Sequence, residues 1–296
     1  MKRFICLFIS IVISLTLTSA VQVISGKTKI IILQPTGNDV TSTSLKQSAD
    51  IISARLKFYG LTFFEINVSV DKGQIKVQLA DDTEISGIEG LLTSRGQLAF
   101  YETYTHNEIK DLLKPGDQLF ELLKSDQGNN ATDPRVGCIN SGNRKKVDDY
   151  LRSMSPVRNC NLFWGVESKK SEYCLFALKT SKEGKPLLVR SDVETIKSGV
   201  TKGSQVPVTQ FKLKSSAISI FADATKNNLN KAIAIVIDDQ VYYWPVVRIV
   251  IASGEIEVSG SFSEREVTYF HALVNNDPLL YHQFALRAAT LVLIDF

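Results

Sequence analysis

After its first twenty residues the sequence has no run of about eighteen uncharged apolar residues, so nothing beyond that point is long enough to cross a bilayer as a helix. It also lacks a dominant charge. Its 34 Lys and Arg against 31 Asp and Glu leave a net +3, which predicts neither a nucleic-acid footprint nor an electrostatic hold on anionic lipid. Histidine is scarce: His106, His271 and His282 share no ligand spacing, and a bound metal is not expected. There is no G-x-S-x-G elbow, no Cys-His signature and no glycine-rich strand-loop-helix cradle for a phosphate. The expectation is a protein without catalytic residues or cofactors. Only 8 prolines among 296 residues, with 44% hydrophobic residues, exclude a disordered chain and allow a sizeable core in one or two domains.

What is present begins with MKRFICLFISIVISLTLTSA. A short basic start, an apolar stretch from Phe4 to Leu17, and Thr18 and Ala20 at the −3 and −1 positions read as an export signal over residues 1–20. It is either cleaved after Ala20 or kept as an N-terminal tether, and it places the rest of the chain in the periplasm or outside the cell. No small-residue lipobox precedes Cys6, so lipid anchoring has no support.

The remaining cysteines are Cys138, Cys160 and Cys174. An odd number at wide spacing is neither a paired metal site nor a dense disulfide framework. Cys138 and Cys160 flank a short expected helix and are the candidate disulfide, with Cys174 left buried on a strand. The alternative is three small buried hydrophobes.

Hydrophobic periodicity gives an α+β fold class. TKIIIL (28–33) is an expected strand. A helix then opens at Ser44, with Leu45, Ala49, Ile52, Leu56 and Tyr59 on one face, and stops at Gly60. FFEINVSV (63–70) and QIKVQL (74–79) form an expected hairpin, a second helix carries Ile85, Ile88 and Leu91 or Leu92, and QLAFYE (97–102) is expected to complete the unit. The order βαββαβ predicts a ferredoxin-like base at 21–104. Signals weaken from 105 to 205, where SDQGNNATDPRVG (125–137) reads as a surface loop, NLFWGV and YCLFAL as strands, and Gly184, Gly199 and Gly203 as loop punctuation. The last third is regular again. It is expected to contain a helix presenting Ile218, Phe221, Ala222, Thr225 and Leu229, and a capping box at Ser263 and Glu266 that opens a final helix. Its core-facing residues are Val267, Phe270, Leu273 and Val274, with His271 on its flank or in solvent. This second unit, at 105–278, is expected to be a head subdomain with an antiparallel sheet, followed by a tail at 279–296.

The stretch AIAIVIDDQVYYWPVVRIVI (232–251) poses the sharpest question. Each of its apolar runs is short, β-branched and aromatic, and turn residues lie between them, so strands are expected rather than a membrane helix. Asp238 and Asp239 read as turn residues rather than a catalytic pair. Pro245 should interrupt the ladder, and VVRIVI (246–251) is expected to pair onward with EIEVSG (255–260).

The order of SADIISARLKFYGL, QIKVQLAD, ISGIEGLLTSRGQLAFYETY, NKAIAIVIDDQVYYWPVV and EIEVSGSFSEREVTYFHALV resembles the first periplasmic domain of the SecD/SecDF protein-export family. The form found in Bacteroidetes looks closest, because NLFWGV and YCLFALKTSKEGKPLL also have counterparts in its insertion. The resemblance spans about residues 28–278. It implies a base and a head that moves against it, and a partner that is an unfolded or extended polypeptide or a Sec-type membrane component. The departures are a missing Gly-Gly signature at the first strand, Asp239-Gln240-Val241 and Tyr243-Trp244-Pro245 in place of the family's hairpin, and LVNNDPLL at the end of the last helix. The sequence reaches Phe296 without a transmembrane bundle, so it is not expected to couple a proton gradient to movement by itself. Exposed sheet edges, with Tyr242, Tyr243 and Trp244 as anchors, are the candidate peptide-binding residues; the competing reading packs these aromatics in the core. A stand-alone secreted interaction module and an envelope hydrolase are the alternatives.

Overall fold

The computed structural model describes residues 26–36, 40–114, 116–123, 132–167, 171–201, 205–260, 262–280 and, for the backbone, 284–294. The export segment at 1–20 and His282 lie outside these residues. In chain order the elements are β1 (Gly26–Pro35), α1 (Ser42–Tyr59), β2 (Phe64–Ser69), β3 (Gln74–Ala80), α2 (Glu89–Thr93), β4 (Leu98–Glu102), α3 (His106–Leu112) and α4 (Leu119–Leu122). Then follow β5 (Arg135–Asn140), α5 (Arg144–Ser153), β6 (Cys160–Trp164), β7 (Glu172–Lys179), β8 (Leu188–Val189), β9 (Val193–Val200) and β10 (Pro207–Leu213). The last group is α6 (Ser215–Asn227), β11 (Ile233–Ile237), β12 (Gln240–Tyr243), β13 (Glu255–Ser259), α7 (Glu264–Val274) and β14 (Phe284–Ile294).

The base follows its local signals closely. Thr41 and Ser44 close a capping box at the start of α1, and Gly60 ends the helix at φ 100°, a left-handed conformation that costs glycine little. Leu45, Ala49, Ile52 and Leu56 on α1 pack on Ile31 and Leu33 of β1 and Ile75, Val77 and Leu79 of β3. Burial of each large aliphatic side chain contributes roughly 1.5–3 kcal/mol. β2 and β3 form the expected antiparallel hairpin.

The fourth strand of the base differs from expectation. The sheet order is β14-β1-β3-β2, so the edge beside β1 is filled from the far end of the chain, with Gly26 opposite Ile294 and Pro35 opposite Phe284. The stretch expected as a tail therefore contains a base strand. β4, expected to complete that sheet, pairs instead with β11 and β8 in a second sheet of order β12-β11-β4-β8. Local periodicity specifies a strand at 97–102 but not its partner. The α+β class holds, and everything between α2 and α7 is inserted into the base.

β11 explains the apolar run that opens AIAIVI. Its five residues are all buried because the strand is covered on both faces. Ile233, Ile235 and Ile237 join the main core, and Ala234 and Val236 join a second cluster with Tyr101, Phe176, Leu178 and Val241. A strand covered on both sides reads as a continuous hydrophobic run. Asp238 and Asp239 make the turn, at φ 50° and 63°, a backbone that Asp tolerates. The expected strand at 246–251 is absent: β12 ends at Tyr243, and 244–254 runs as an extended loop touching the sheet by a single bridge, Ala232 to Val246. Pro245 has no N–H to give a ladder. β13 pairs with β10 in a third sheet, β13-β10-β9.

Further strands were not legible as such, the two-residue β8 among them. β5 occupies 135–140, at the end of the segment read as a loop, and β9 includes Gly199. β5, β7 and β6 form a fourth sheet whose own core includes Val136, Ile139, Trp164 and Leu175. Within it the disulfide is Cys138–Cys174, which joins directly opposed residues on β5 and β7. The expected Cys138–Cys160 pairing is thereby corrected. Register across adjacent strands, rather than the helix between the cysteines, decides the partner. Cys160 is the free thiol among the described residues, and burial pushes it up to about 12.

Base and head meet at one buried cation. Arg55 of α1 is fully buried and donates to four carbonyls: Nη1 to Leu91 O (3.3 Å) and Ser94 O (2.5 Å), Nη2 to Arg95 O (2.6 Å) and Leu273 O (3.4 Å). These carbonyls lie at or just beyond the C-terminal ends of α2 and α7, where helix dipoles favour a positive charge. Burial lowers the guanidinium to about 10, so it stays charged at neutral pH. Gly96 sits at φ +81°, and a Cβ there would come within 2.5 Å of both Arg55 Nη2 and Leu273 O. From the head side, Asp238 accepts from Gly96 N (2.9 Å) and Gln97 N (2.8 Å). Replacing Arg55 with Met strands several buried carbonyls, so Arg55→Met should lower unfolding stability by about 3 kcal/mol in denaturant titration. A loss within the scatter of the exposed control Lys57→Ala would contradict this account of the junction.

Candidate functional site

Of the three aromatics expected to hold a peptide, one is free to do so. Tyr243 is buried against Phe262 and Phe270, at ring distances of 4.3 and 4.9 Å. Tyr242 is part of the same core edge, 6.0 Å from Phe270. Burial raises both hydroxyls well above the ordinary tyrosine range, which suits core packing rather than an exchanging surface. Trp244 points elsewhere. It tilts over Phe176 at 4.8 Å and leaves 36% of its surface exposed.

The loop that replaces the expected strand carries the more prominent apolar surface. Its backbone is pinned along the end of α6: Asn230 N donates to Val247 O, Val247 N to Lys231 O, and Ile251 N to Thr225 Oγ1. With the backbone held this way, Val246, Ile249 and Val250 face solvent, Ile249 at 70% exposure. Leu229, expected on the buried face of α6, is also exposed, and Ala217 and Ala224 take inward positions beside Phe221 and Thr225. Trp244, Val246, Ile249, Val250 and Leu229 thus rim one stretch of the head. Reading 246–251 as a paired strand concealed this rim, and the Pro245 break was the signal that could have revealed it.

Polar groups are gathered less productively. A cleft of about 620 Å³ beside β4 is lined by Asp238, Asp239 and Asp277 together with Arg190 and Lys214. Burial and then the neighbouring Asp238 raise the Asp239 carboxyl. Asp238 itself is engaged by the backbone of 96 and 97. Among the described residues, no three His, Cys, Asp or Glu side chains are grouped to hold a metal. His106 lies in α3 with its ring 4.8 Å from Phe120.

His271 departs from expectation. It is 1% exposed, with Nε2 3.3 Å from Thr209 Oγ1 on β10 and Nδ1 without a partner. The α7 face turned toward β10 is buried, so a position one residue after Phe270 is covered rather than solvated. Burial lowers its pKa to about 4 from 6.5. The neutral ring is favoured in the folded chain, so this group's full contribution is present above pH 6.5 and is lost as pH falls toward 4.

Comparison with known proteins gives the class first. A crystal structure of SecDF in its super-membrane-facing form superposes on 91% of this chain and 31% of that one, with a TM-score of 0.53 at 17% identity. A second SecDF structure, described as a membrane component that enhances protein export, superposes more loosely over 90% of this chain and 98% of that one, with a TM-score of 0.46 and 17% identity. The fold is that of an α+β SecDF periplasmic domain. In sequence, residues 174–280 match the P1 head subdomain of SecDF. The SecD subunit of the protein translocase of Calditerrivibrio nitroreducens is 45% identical over 60 residues, 20% of this chain and 12% of that protein. Residues 174–280 are therefore similar to a SecDF P1 head, the chain as a whole resembles the first periplasmic domain of SecD, and its match spans a small part of the length of that relative.

If the His271 site is as described, stability between pH 7 and 5 should fall less in His271→Gln than in the unaltered chain, by a difference on the order of 1–2 kcal/mol. An equal fall in unfolding free energy between pH 7 and pH 5 for the two chains, read from urea titrations, would show that the ring is not held neutral by burial.

Proposed function

We propose that this chain is a non-catalytic module of protein export, located outside the cytoplasmic membrane, that binds an extended polypeptide on the apolar rim of its head. The observation that carries the reading is the exposure of Ile249, Val250 and their neighbours within the segment that matches the SecDF P1 head. A contiguous apolar surface rimmed by polar residues is a hallmark of chain-binding sites. An unfolded chain offers apolar side chains at every few positions, and a rim of aliphatic side chains takes them without demanding a sequence. Trp244 is the aromatic anchor in this reading, and Tyr242 and Tyr243 hold the loop from behind. The membrane components of a Sec-type translocon are the accompanying partners, and residues 4–17 tether the chain to the membrane when the export segment is retained.

The test places a photocrosslinking amino acid at Ile249 of the full chain in its native envelope, with the same probe at Leu112 as a control. Leu112 is 45% exposed but lies on α3, whose Ile109 packs in the separate core of the β5-β7-β6 sheet. The reading expects adducts with an arrested exported chain from Ile249 at about tenfold the yield from Leu112, reduced several-fold by Val250→Ser. Equal yields from the two positions would remove the rim from the account.

A further inference from the structure

The base sheet ends on one side in an open strand. β2 stands last in the order β14-β1-β3-β2, and among the described residues it pairs with β3 alone, from Phe64 opposite Leu79 to Ser69 opposite Gln74 without a shift in register. A free edge is a template for another chain, and folded proteins commonly blunt it with proline, a bulge, several charges or shortness. Such devices close edges in the head: β12 is followed by Pro245 and covered where Val166 N donates to Val241 O, and β8 has two residues. β2 carries a single charge, Glu65, and none of the other devices.

This edge borders a groove. A cavity of about 650 Å³ runs between β2 and α1, with Phe64, Ile66 and Val68 on its strand side and Lys46, Asp50, Ser53 and Lys57 on its helix side. The three strand residues pack on the main core yet stay half-buried, because no strand follows β2 to cover their flank. The helix residues form one row at alternating spacings of four, three and four. That row argues against a second copy as the occupant. Pairing β2 with β2 about a two-fold axis would set two α1 helices side by side and antiparallel, and about the centre of the row Lys46 of each copy would meet Lys57 of the other, a like-charge contact that costs energy. An extended chain brings a strand without a helix. Lys46 and Lys57 are balanced by Asp50 and Glu65, so the groove suits an uncharged segment.

We infer that β2 accepts an extended polypeptide segment as an added strand, laid in the groove beside α1. The class of occupant rests on the proposed function; the site is separate from the head rim and binds by a different means. Backbone hydrogen bonds supply the hold, and alternate side chains of the segment cover the open flanks of Phe64, Ile66 and Val68. The segment this edge selects is about six residues long, β-prone, uncharged and free of proline, since each proline removes a donor from the ladder. The rim takes apolar side chains whatever their backbone; the edge requires the backbone N–H.

The experiment mixes the full chain with an excess of a synthetic peptide of about seven residues, alternating valine and threonine, and follows residue-resolved hydrogen exchange. The expected result is that every second amide of β2 slows about tenfold, while the same peptide N-methylated at each residue, more apolar but without donors, slows none of them. Ser53→Arg, which fills the helix side of the groove, should abolish the slowing while keeping the circular dichroism of the unaltered chain; the methylated peptide tests the ladder without any substitution. Equal slowing by both peptides would mean apolar capture and overturns the inference, as does slowing that is absent from β2 or uniform along it. Alternate slowing that appears without peptide and grows with protein concentration assigns the edge to a second copy, and also overturns it. Crosslinking from Ile249 reads the rim separately and should be unchanged by Ser53→Arg, so the failure of either site is distinguishable from that of the other.

Discussion

The structure depends on a charge buried where the chain passes from one unit to the next. Arg55 brings a guanidinium into the apolar seam between α1, α2 and α7 and meets its two terminal nitrogens with backbone carbonyls, leaving Nε without a partner. Removing a charge from water costs several kcal/mol, so such a group persists only where most of its donors are met. The geometry that meets them constrains its surroundings. Gly96 must lack a side chain, α2 and α7 must end where they do, and Asp238 must reach back to tie the crossing segment from the head side. A further exchange, Leu279 N to Arg95 O, ties the chain after α7 to the same segment. The route into the head and the route out of it are thus clasped at one place.

This clasp accounts for how a base can be built from both ends of a chain. β1, α1, β2 and β3 are local and fold from short-range signals, but the sheet lacks an edge strand until β14 arrives. The hydrophobic core is continuous across the junction, running from Ile31 and Leu56 through Phe270 to Phe211 and Ile235. Head and base then share apolar burial instead of each completing its own core. The sheet of β5, β7 and β6 has a core of its own and the Cys138–Cys174 bond on one side, and on the other packs Phe176 and Leu178 against β11.

Features whose causes are local were legible in the sequence. Gly60 stops a helix because its backbone turns left-handed there, Ser263 and Glu266 cap one because each side chain reaches the other's backbone, and Asp238 and Asp239 turn a hairpin for the same kind of reason. The order of the pieces also carried the SecD resemblance. What escaped had causes at a distance. The partner of β4, the placement of β14 and the choice of Cys174 over Cys160 are decided by strand neighbours hundreds or tens of residues away. The apolar rim escaped because VVRIVI has the composition of a strand, whereas Pro245 breaks the ladder after β12 and the loop leaves Ile249 in solvent. His271 was misread because helical periodicity names the face toward one partner, and α7 packs on α1, on α2 and on the sheet carrying β10.

If the clasp at Arg55 makes base and head one cooperative unit, native-state hydrogen exchange is its most direct test. Amides of β1 in the base and of β11 in the head should exchange through the same global opening, with opening free energies equal within about 1 kcal/mol and the same denaturant dependence. Exchange of β1 through a separate opening several kcal/mol cheaper than that of β11 would contradict the account.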